Sequence, residues 1–486
     1  MDVTKHYITI DVGASSGRII VYSFDKEIKS HEVHRFKNKP YSEKNHLLWS
    51  FTHIMNEIYE GLTKAFQYES EISAIGIDSW GCDYGYIDFT GKLIQNPYSY
   101  RDLRTANIES ITNKYFSRES LYKKTGIQHL RFNTIYQIVD DLINHKEILS
   151  KANKLLMIPD LIAYHLTGII KMELTNLSTT SFYDSINHEI IDEVNKLGYP
   201  SSLIPEVIKP GEFYGNILPH IAQKYNLKEV PVIAVCTHDT ASAVHSLQLS
   251  KTDTYISSGT WSLIGKLLDK PLINNNTFKK SYTNEIGFNN KIRFLKNISG
   301  FWIKNLILEA FNQVKVEYDE LDRLIEQTLD FDSIIDLDHN DFEVGENIVE
   351  KIQTHCRKTN QKVPHKLEEF ISVFNYSLVC KYRQHIETLD NLTDYKTNQI
   401  FIIGGGASNS LINQMTADIT GIKVIEGNNE ATSLGNAFVL HQAINQIEDV
   451  TVKSLFINNE KKEFLPKKDL TEVYKKYIKL MKGTCL

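Results

Sequence analysis

The chain has 486 residues, 42% hydrophobic and 23% charged, a globular balance with room for two or three domains. A formal net charge of −6 argues against an electrostatic hold on nucleic acid or an anionic membrane surface. No apolar run approaches the roughly 20 residues of a membrane span, and MDVTKHYITIDVG shows no secretory signal. The five cysteines (Cys82, Cys236, Cys356, Cys380, Cys485) are scattered, with no CxxC pair, so reduced thiols in a cytoplasm are expected. Structural or hydrolytic zinc is not expected, because no HExxH or paired-cysteine motif occurs.

The first elements are strands. Tyr7 to Val12 carries β-branched residues, GASSG makes a turn, and Arg18 to Phe24 forms a second strand, with Lys29 to Phe36 a third. Ile54, Ile58, Leu62 and Phe66 recur at helical spacing and predict one buried stripe. ISAIGIDSW returns as a strand from Ile72. Further on, the apolar run Val232 to Cys236 ends in Thr237-His238-Asp239-Thr240 and small residues follow. Two readings of that stretch stand: Asp239 or Thr240 caps the next helix, or Asp239 is a catalytic base at a strand end.

After residue 250 the opening pattern recurs. TDTYISSGTWSLIGKLL is again strand, small-residue turn and strand. Leu367, Ile371, Phe374 and Leu378 mark a long helix, QIFII a strand, GGGASNSLINQM a turn into a helix, and KVIEG a further strand. The repeat predicts two α/β domains, at 1–247 and 248–486, with the boundary near Ser246 to Thr252. The acidic stretch Glu317 to Lys366 is expected to elaborate the second domain, and the lysine-rich end, Lys461 to Lys482, to be a solvated helix.

DVGASSGR (Asp11 to Arg18) is neither a Walker A loop nor a dinucleotide fingerprint, because no GK[ST] follows and the chain continues as a strand. It reads equally as a tight hairpin or as a nest of N–H groups that binds anions, helped by Ser15, Ser16 and Arg18. Gly17 is expected in a backbone conformation open to glycine. Asp11 suits Mg²⁺ held through water. SSGTWS (Ser257 to Ser262) is the same device in the second half, and Gly404 to Gly406 forms a turn where backbone either tightens or approaches a flat ring.

Together these motifs resemble the FGGY carbohydrate kinases. The resemblance runs in order through DVGASSGR, GIDSWGCDYGYID (Gly76 to Asp88), YSYRDLRT (Tyr98 to Thr105), LLMIPDLIAYHLTG (Leu155 to Gly168), TNLSTTSFYD (Thr175 to Asp184), HDTASAV, SSGTWSLIG, LKNISGFWI and IIGGGASNSLINQ. GASSGR, SWG and KNISGFW favour the branch of the family that acts on L-rhamnulose over its xylulose and glycerol branches.

The resemblance implies two actin-like (ribonuclease H-like) ATPase domains with a catalytic cleft between them. It implies transfer of the γ-phosphoryl of MgATP to a hydroxyl of a ketose, O1 of L-rhamnulose, with Asp239 as catalytic base. By the same resemblance Ala14, Ser15, Ser16, Gly17 and Arg18 contact ATP phosphates, and Thr260, Asn305 and Gly405 meet the nucleotide. Gly81, His238, Asp239, Thr240 and Asn297 meet the sugar. Two positions depart from the family pattern: Asn305 stands where relatives usually carry glutamine, and NEIG (Asn284 to Gly287) stands for NEGG, placing Ile286 in that loop. The competing readings are a kinase for L-fuculose, L-xylulose or another pentulose, an actin-like chaperone or filament ATPase, and a sugar sensor without catalysis. No motif speaks to oligomeric state.

Overall fold

Five β-branched or aromatic residues in the run Tyr7–Val12 make the strand Lys5–Val12 the axis of a six-stranded sheet. The computed structural model describes residues 4–259, 261–312, 331–342, 346–449, 453 and 462–483. Strand order is Phe213–Asn216, Pro231–Ile233, Ile72–Ser79, Lys5–Val12, Ser16–Phe24 and Ile28–Lys37. The Lys5–Val12 strand pairs parallel with Ile72–Ser79, which pairs parallel with Pro231–Ile233. Ser16–Phe24 runs antiparallel to Lys5–Val12, as the sequence predicts, and begins two residues earlier than expected.

Both faces of this sheet are covered, so its central strands read as nearly continuous apolar runs. Ile8, Ile10 and Val12 pack with Ile54, Ile58 and Leu62 of the helix Phe51–Tyr68 and with Leu161 and Ile162 of Ile158–Thr167. The predicted stripe is the buried one, with Phe66 partly buried at its end. On the opposite face Tyr7, Ile20 and Tyr22 pack with Ala437, Phe438 and Leu440 of the helix Ala431–Asn445.

The chain divides into two units: Met1–Gln248 with Leu268–Phe294 and Ala431–Asn458, and Leu249–Leu267 with Leu295–Glu430 and Asn459–Leu486. The sheet of the second unit repeats the plan of the first. Asp253–Ser258 pairs antiparallel with Trp261–Leu268 and parallel with Gln399–Ile403, which pairs parallel with Lys423–Glu426. The long helix Leu367–Thr393 buries Ile371, Phe374 and Leu378 completely.

The lysine-rich end is not the solvated helix its composition suggests. Glu463–Phe464 adds a strand antiparallel to Lys423–Glu426. The helix Thr471–Met481 then docks Tyr474 and Tyr477, whose hydroxyls donate to Glu387 (2.6 Å) and Gln384 (3.1 Å). Of the acidic stretch, 317–330 and 343–345 lie outside the described residues, and the remainder holds the helix Ile348–Lys358 with Ile352 and Cys356 buried. Among the described residues no helix is long and apolar enough to cross a membrane.

One contact in the first unit leaves no room for a side chain. At Gly435, in Ala431–Asn445, a Cβ would lie 1.8 Å from the carbonyl oxygen of Ser242, in the helix Asp239–His245. Gly435→Ala must therefore push two helices apart and is expected to cost at least about 2 kcal/mol. Urea denaturation measures this, and an unchanged midpoint would contradict the contact.

Candidate active site

Parallel strands bring their C-terminal ends to one edge of a sheet, where open α/β folds bind ligands. Here the edge is acidic. Asp11 and Asp78 are register partners on adjacent parallel strands. The third strand, Pro231–Ile233, is extended along the same edge: the Ser79 N–H donates to Thr237 O (2.8 Å), and Ser79 bridges to His238. The helix Asp239–His245 begins immediately afterwards.

Each carboxylate there is held by a different donor. Arg18, opposite Asp11 in the hairpin register, reaches Asp11 Oδ2 with both Nε and Nη2 at 2.9 Å. Asp78 is fully buried; its Oδ2 accepts from Asn436 Nδ2 at 2.6 Å, while Oδ1 has no hydrogen-bond partner among the described residues. Burial and then the neighbouring Asp11 charge raise its pKa well above the carboxylate range.

Asp239 keeps 32% of its side chain exposed. Its Oδ1 accepts from the backbone N–H of Thr240 and from Thr240 Oγ1 (3.0 Å). Burial, reinforced by Asp11, still moves its carboxyl from 3.8 up to about 6. The capping reading is satisfied only in part. The N-cap position belongs to His238, whose side chain caps nothing, and Asp239 is the first helical residue, taking one of the free N–H groups.

His238 is fixed from behind. Arg293 Nη2 lies 2.8 Å from His238 Nδ1, and Glu285 Oε2 lies 3.0 Å from the same guanidinium nitrogen. Arg293 is fully buried and Glu285 nearly so. Burial and the Arg293 charge hold His238 well below the usual imidazole pKa, so it is neutral. Its Nε2 stands 3.7 Å from Asp239 Oδ1. Gly81 faces the same ring: a Cβ there would sit 3.4 Å from His238 Nε2 and 3.0 Å from Thr179 Oγ1.

The turn that presents Gly81 is pinned by Asp83. Asp83 Oδ2 accepts from Trp49 Nε1 (2.7 Å), Trp80 Nε1 (2.9 Å) and the Tyr100 N–H (3.1 Å). Cys82 takes a left-handed backbone, φ 75°, and its carbonyl accepts from Thr134 Oγ1 (2.9 Å) and Gln137 Nε2 (3.1 Å). A non-glycine residue persists in that conformation only when its surroundings hold it.

The first turn is a tight hairpin closed by the Gly13 N–H on Ser16 O (2.9 Å) and buttressed by Asn38 Nδ2 on Gly13 O (2.9 Å). Ser15 is its exposed tip, with Ala14 and Ser16 half-buried beside it. Gly17 corrects the sequence expectation. It lies inside the strand Ser16–Phe24 without a positive φ. Glycine is required there because a Cβ would lie 2.2 Å from the Phe36 ring.

The second unit gathers three glycine turns. The Gly406 N–H donates to Ser258 O (2.9 Å) and the Phe301 N–H to Gly259 O (3.0 Å). Gly404 has φ 83°, and a Cβ on Gly406 would lie 2.4 Å from Ser258 Oγ, whereas nothing stands within 4 Å of one on Gly405. Asn297 is half-buried in the strand Ile292–Ser299, and Asn305 is exposed on the helix Trp302–Ala310. Thr260 lies outside the described residues. Ile286 is fully buried at the end of the strand Thr283–Ile286, its N–H donating to Ser178 Oγ (3.0 Å).

The structure thus brings Gly81, His238, Asp239 and Thr240 together, near Asp11 and Arg18 at the same sheet edge. The sequence reading missed Asp78, Asp83, Glu285 and Arg293. Asp78 left a signal, since both parallel strands carry Ile-Asp just before their last residue (Ile10-Asp11 before Val12, Ile77-Asp78 before Ser79).

Comparison with known proteins decides the family. The N-terminal domain profile of the FGGY family of carbohydrate kinases matches residues 6–245, and the C-terminal domain profile matches 254–443. The chain belongs to the FGGY family of carbohydrate kinases. A rhamnulokinase of Ligilactobacillus salivarius (strain UCC118) is 37% identical over 459 residues, covering 94% of each chain. One from Bacillus subtilis (strain 168) is 37% identical over 471 residues, covering 95% of each. Among solved structures, Plasmodium falciparum glycerol kinase with ADP aligns with TM-score 0.80 at 16% identity, covering 99% of both chains, so the α/β fold is that of this family.

For Asp239 to serve as a proton acceptor it must be ionised, and its carboxyl is raised to about 6. Activity as kcat/KM is therefore expected to be level above about pH 7 and to fall about tenfold per unit below about pH 6. A pH–rate profile tests this; a profile level down to pH 5 would exclude Asp239 as the titrating acceptor.

Proposed function

We propose that this kinase transfers the γ-phosphoryl of MgATP to O1 of L-rhamnulose. The observation that carries the reading is the trio Gly81, His238 and Asp239: a side-chain-free wall, a neutral imidazole and a half-open carboxylate set against one another. The substrate follows from rhamnulokinases that align over more than nine-tenths of the chain at 37% identity.

Phosphoryl transfer passes through a loose transition state, so the protein mainly positions the reactants and balances charge. Thr240 occupies Asp239 Oδ1 with two donors, which leaves Oδ2 to take the proton of the attacking hydroxyl. His238 and Gly81 orient the sugar, and Asn297 is assigned as a further sugar contact by the family pattern. Ala14, Ser15, Ser16, Gly17 and Arg18 take phosphate oxygens, with Thr260, Asn305 and Gly405 meeting the nucleotide.

A hard divalent cation fits the donors present. Asp11 and Asp78 offer carboxylate oxygens from adjacent strand ends, and Asp78 Oδ1 is buried without a partner among the described residues. Bound Mg²⁺ would offset charge on the phosphates. Cys82, Cys236, Cys356 and Cys380 are free thiols, which suits a reducing compartment, and we place the reaction in the cytoplasm.

A coupled ADP-release assay over L-rhamnulose, L-fuculose, L-xylulose, L-ribulose and glycerol tests the substrate. L-Rhamnulose is expected to give the highest kcat/KM, and a better ketose on the panel would reassign the sugar. Asp239→Asn keeps shape and hydrogen bonds but cannot accept the proton. Its kcat is expected to fall by about two to four orders of magnitude with ATP binding retained by calorimetry. Near-normal turnover would reduce Asp239 to a helix-end residue.

A further inference from the structure

We propose that Arg293 is a positioning residue that locks His238 in its Nε2–H tautomer, so that the reacting hydroxyl can pass its proton only to Asp239. This rests on the kinase reading above and adds to it a residue outside every motif of the sequence.

A guanidinium has only donors. With Arg293 Nη2 2.8 Å from His238 Nδ1, that nitrogen must carry the lone pair, and the proton of the neutral ring sits on Nε2. Nε2 is the atom that faces Gly81 and lies 3.7 Å from Asp239 Oδ1. A sugar hydroxyl lying over both groups then finds a donor on one side and a carboxylate on the other. It accepts from Nε2–H, and its own proton points to Asp239. In the opposite tautomer Nε2 would be an acceptor and would compete for that proton.

The arrangement is expensive to keep for stability alone. Arg293 is fully buried, and its Nε and Nη1 find no hydrogen-bond partner among the described residues. A buried ion pair with unsatisfied donors is commonly no more stable than apolar residues of the same volume. The Glu285–Arg293 pair instead directs one nitrogen onto His238.

The test uses the full chain labelled with ¹⁵N-histidine, with His238 assigned by the signal lost in His238→Gln. Two-bond ¹H–¹⁵N correlation at neutral pH is expected to show His238 as the pure Nε2–H tautomer. An Nδ1–H tautomer, an even mixture or an imidazolium in the wild-type chain overturns the proposal, whatever any variant does. Arg293→Met is combined with Glu285→Gln so that no buried carboxylate is stranded. In this variant the Nε2–H tautomer should lose its dominance, and kcat should fall about tenfold to a hundredfold while the KM for ATP changes less than about twofold. A folded double variant with unchanged kcat or unchanged tautomer overturns it. Failure of the kinase reading shows separately, as a wild-type chain that phosphorylates no ketose.

Discussion

Like charges brought to one edge of a parallel sheet repel one another, and much of the first unit is arranged around that repulsion. Asp11 and Asp78 are neighbours by strand register, so neither can move away without breaking the pairing of the two central strands. Asp239 arrives beside them because the third strand is extended along Ser79. The dielectric is low at this depth, so the carboxylates feel one another strongly.

The chain meets the repulsion in three ways. Arg18 supplies a formal charge to Asp11 from the adjacent antiparallel strand. Asn436 supplies an amide to Asp78, and burial there favours the protonated form. Asp239 receives only a hydroxyl and one peptide N–H, and it alone keeps a third of its side chain open. The most open of the three carboxylates is the one that we propose accepts a proton. The three carboxylates therefore stand in graded environments, as paired acids with divided roles generally do.

Much of this was legible in the residues themselves. Alternation in HYITIDV, the Ile54-Ile58-Leu62 stripe and the strand-to-helix transition at His238-Asp239 are local patterns, and local patterns survive in a linear sequence. The misreadings have tertiary causes. Gly17 looked like a turn glycine because it follows GASS, but its constraint is the ring of Phe36, from another strand. Tyr474 and Tyr477 were hidden among lysines, although their spacing by three places both on one helix face. Arg293 carries no motif: its role depends on a strand that returns to His238 from later in the chain, and only coordinates show that meeting.

The helix Ala431–Asn445 gives the first unit an order of events. It is translated after nearly all of the second unit, yet it supplies the amide on Asp78 and packs through Gly435 against the helix that begins at Asp239. At roughly 5–20 residues per second, a ribosome needs many seconds to travel from Asp239 to Asn436. Throughout that interval the nascent sheet has one face without its cover, and the buried acid at its edge lacks its amide. A growing chain therefore holds Asp78 and the helix that begins at Asp239 in an unfinished setting until this later helix has been made.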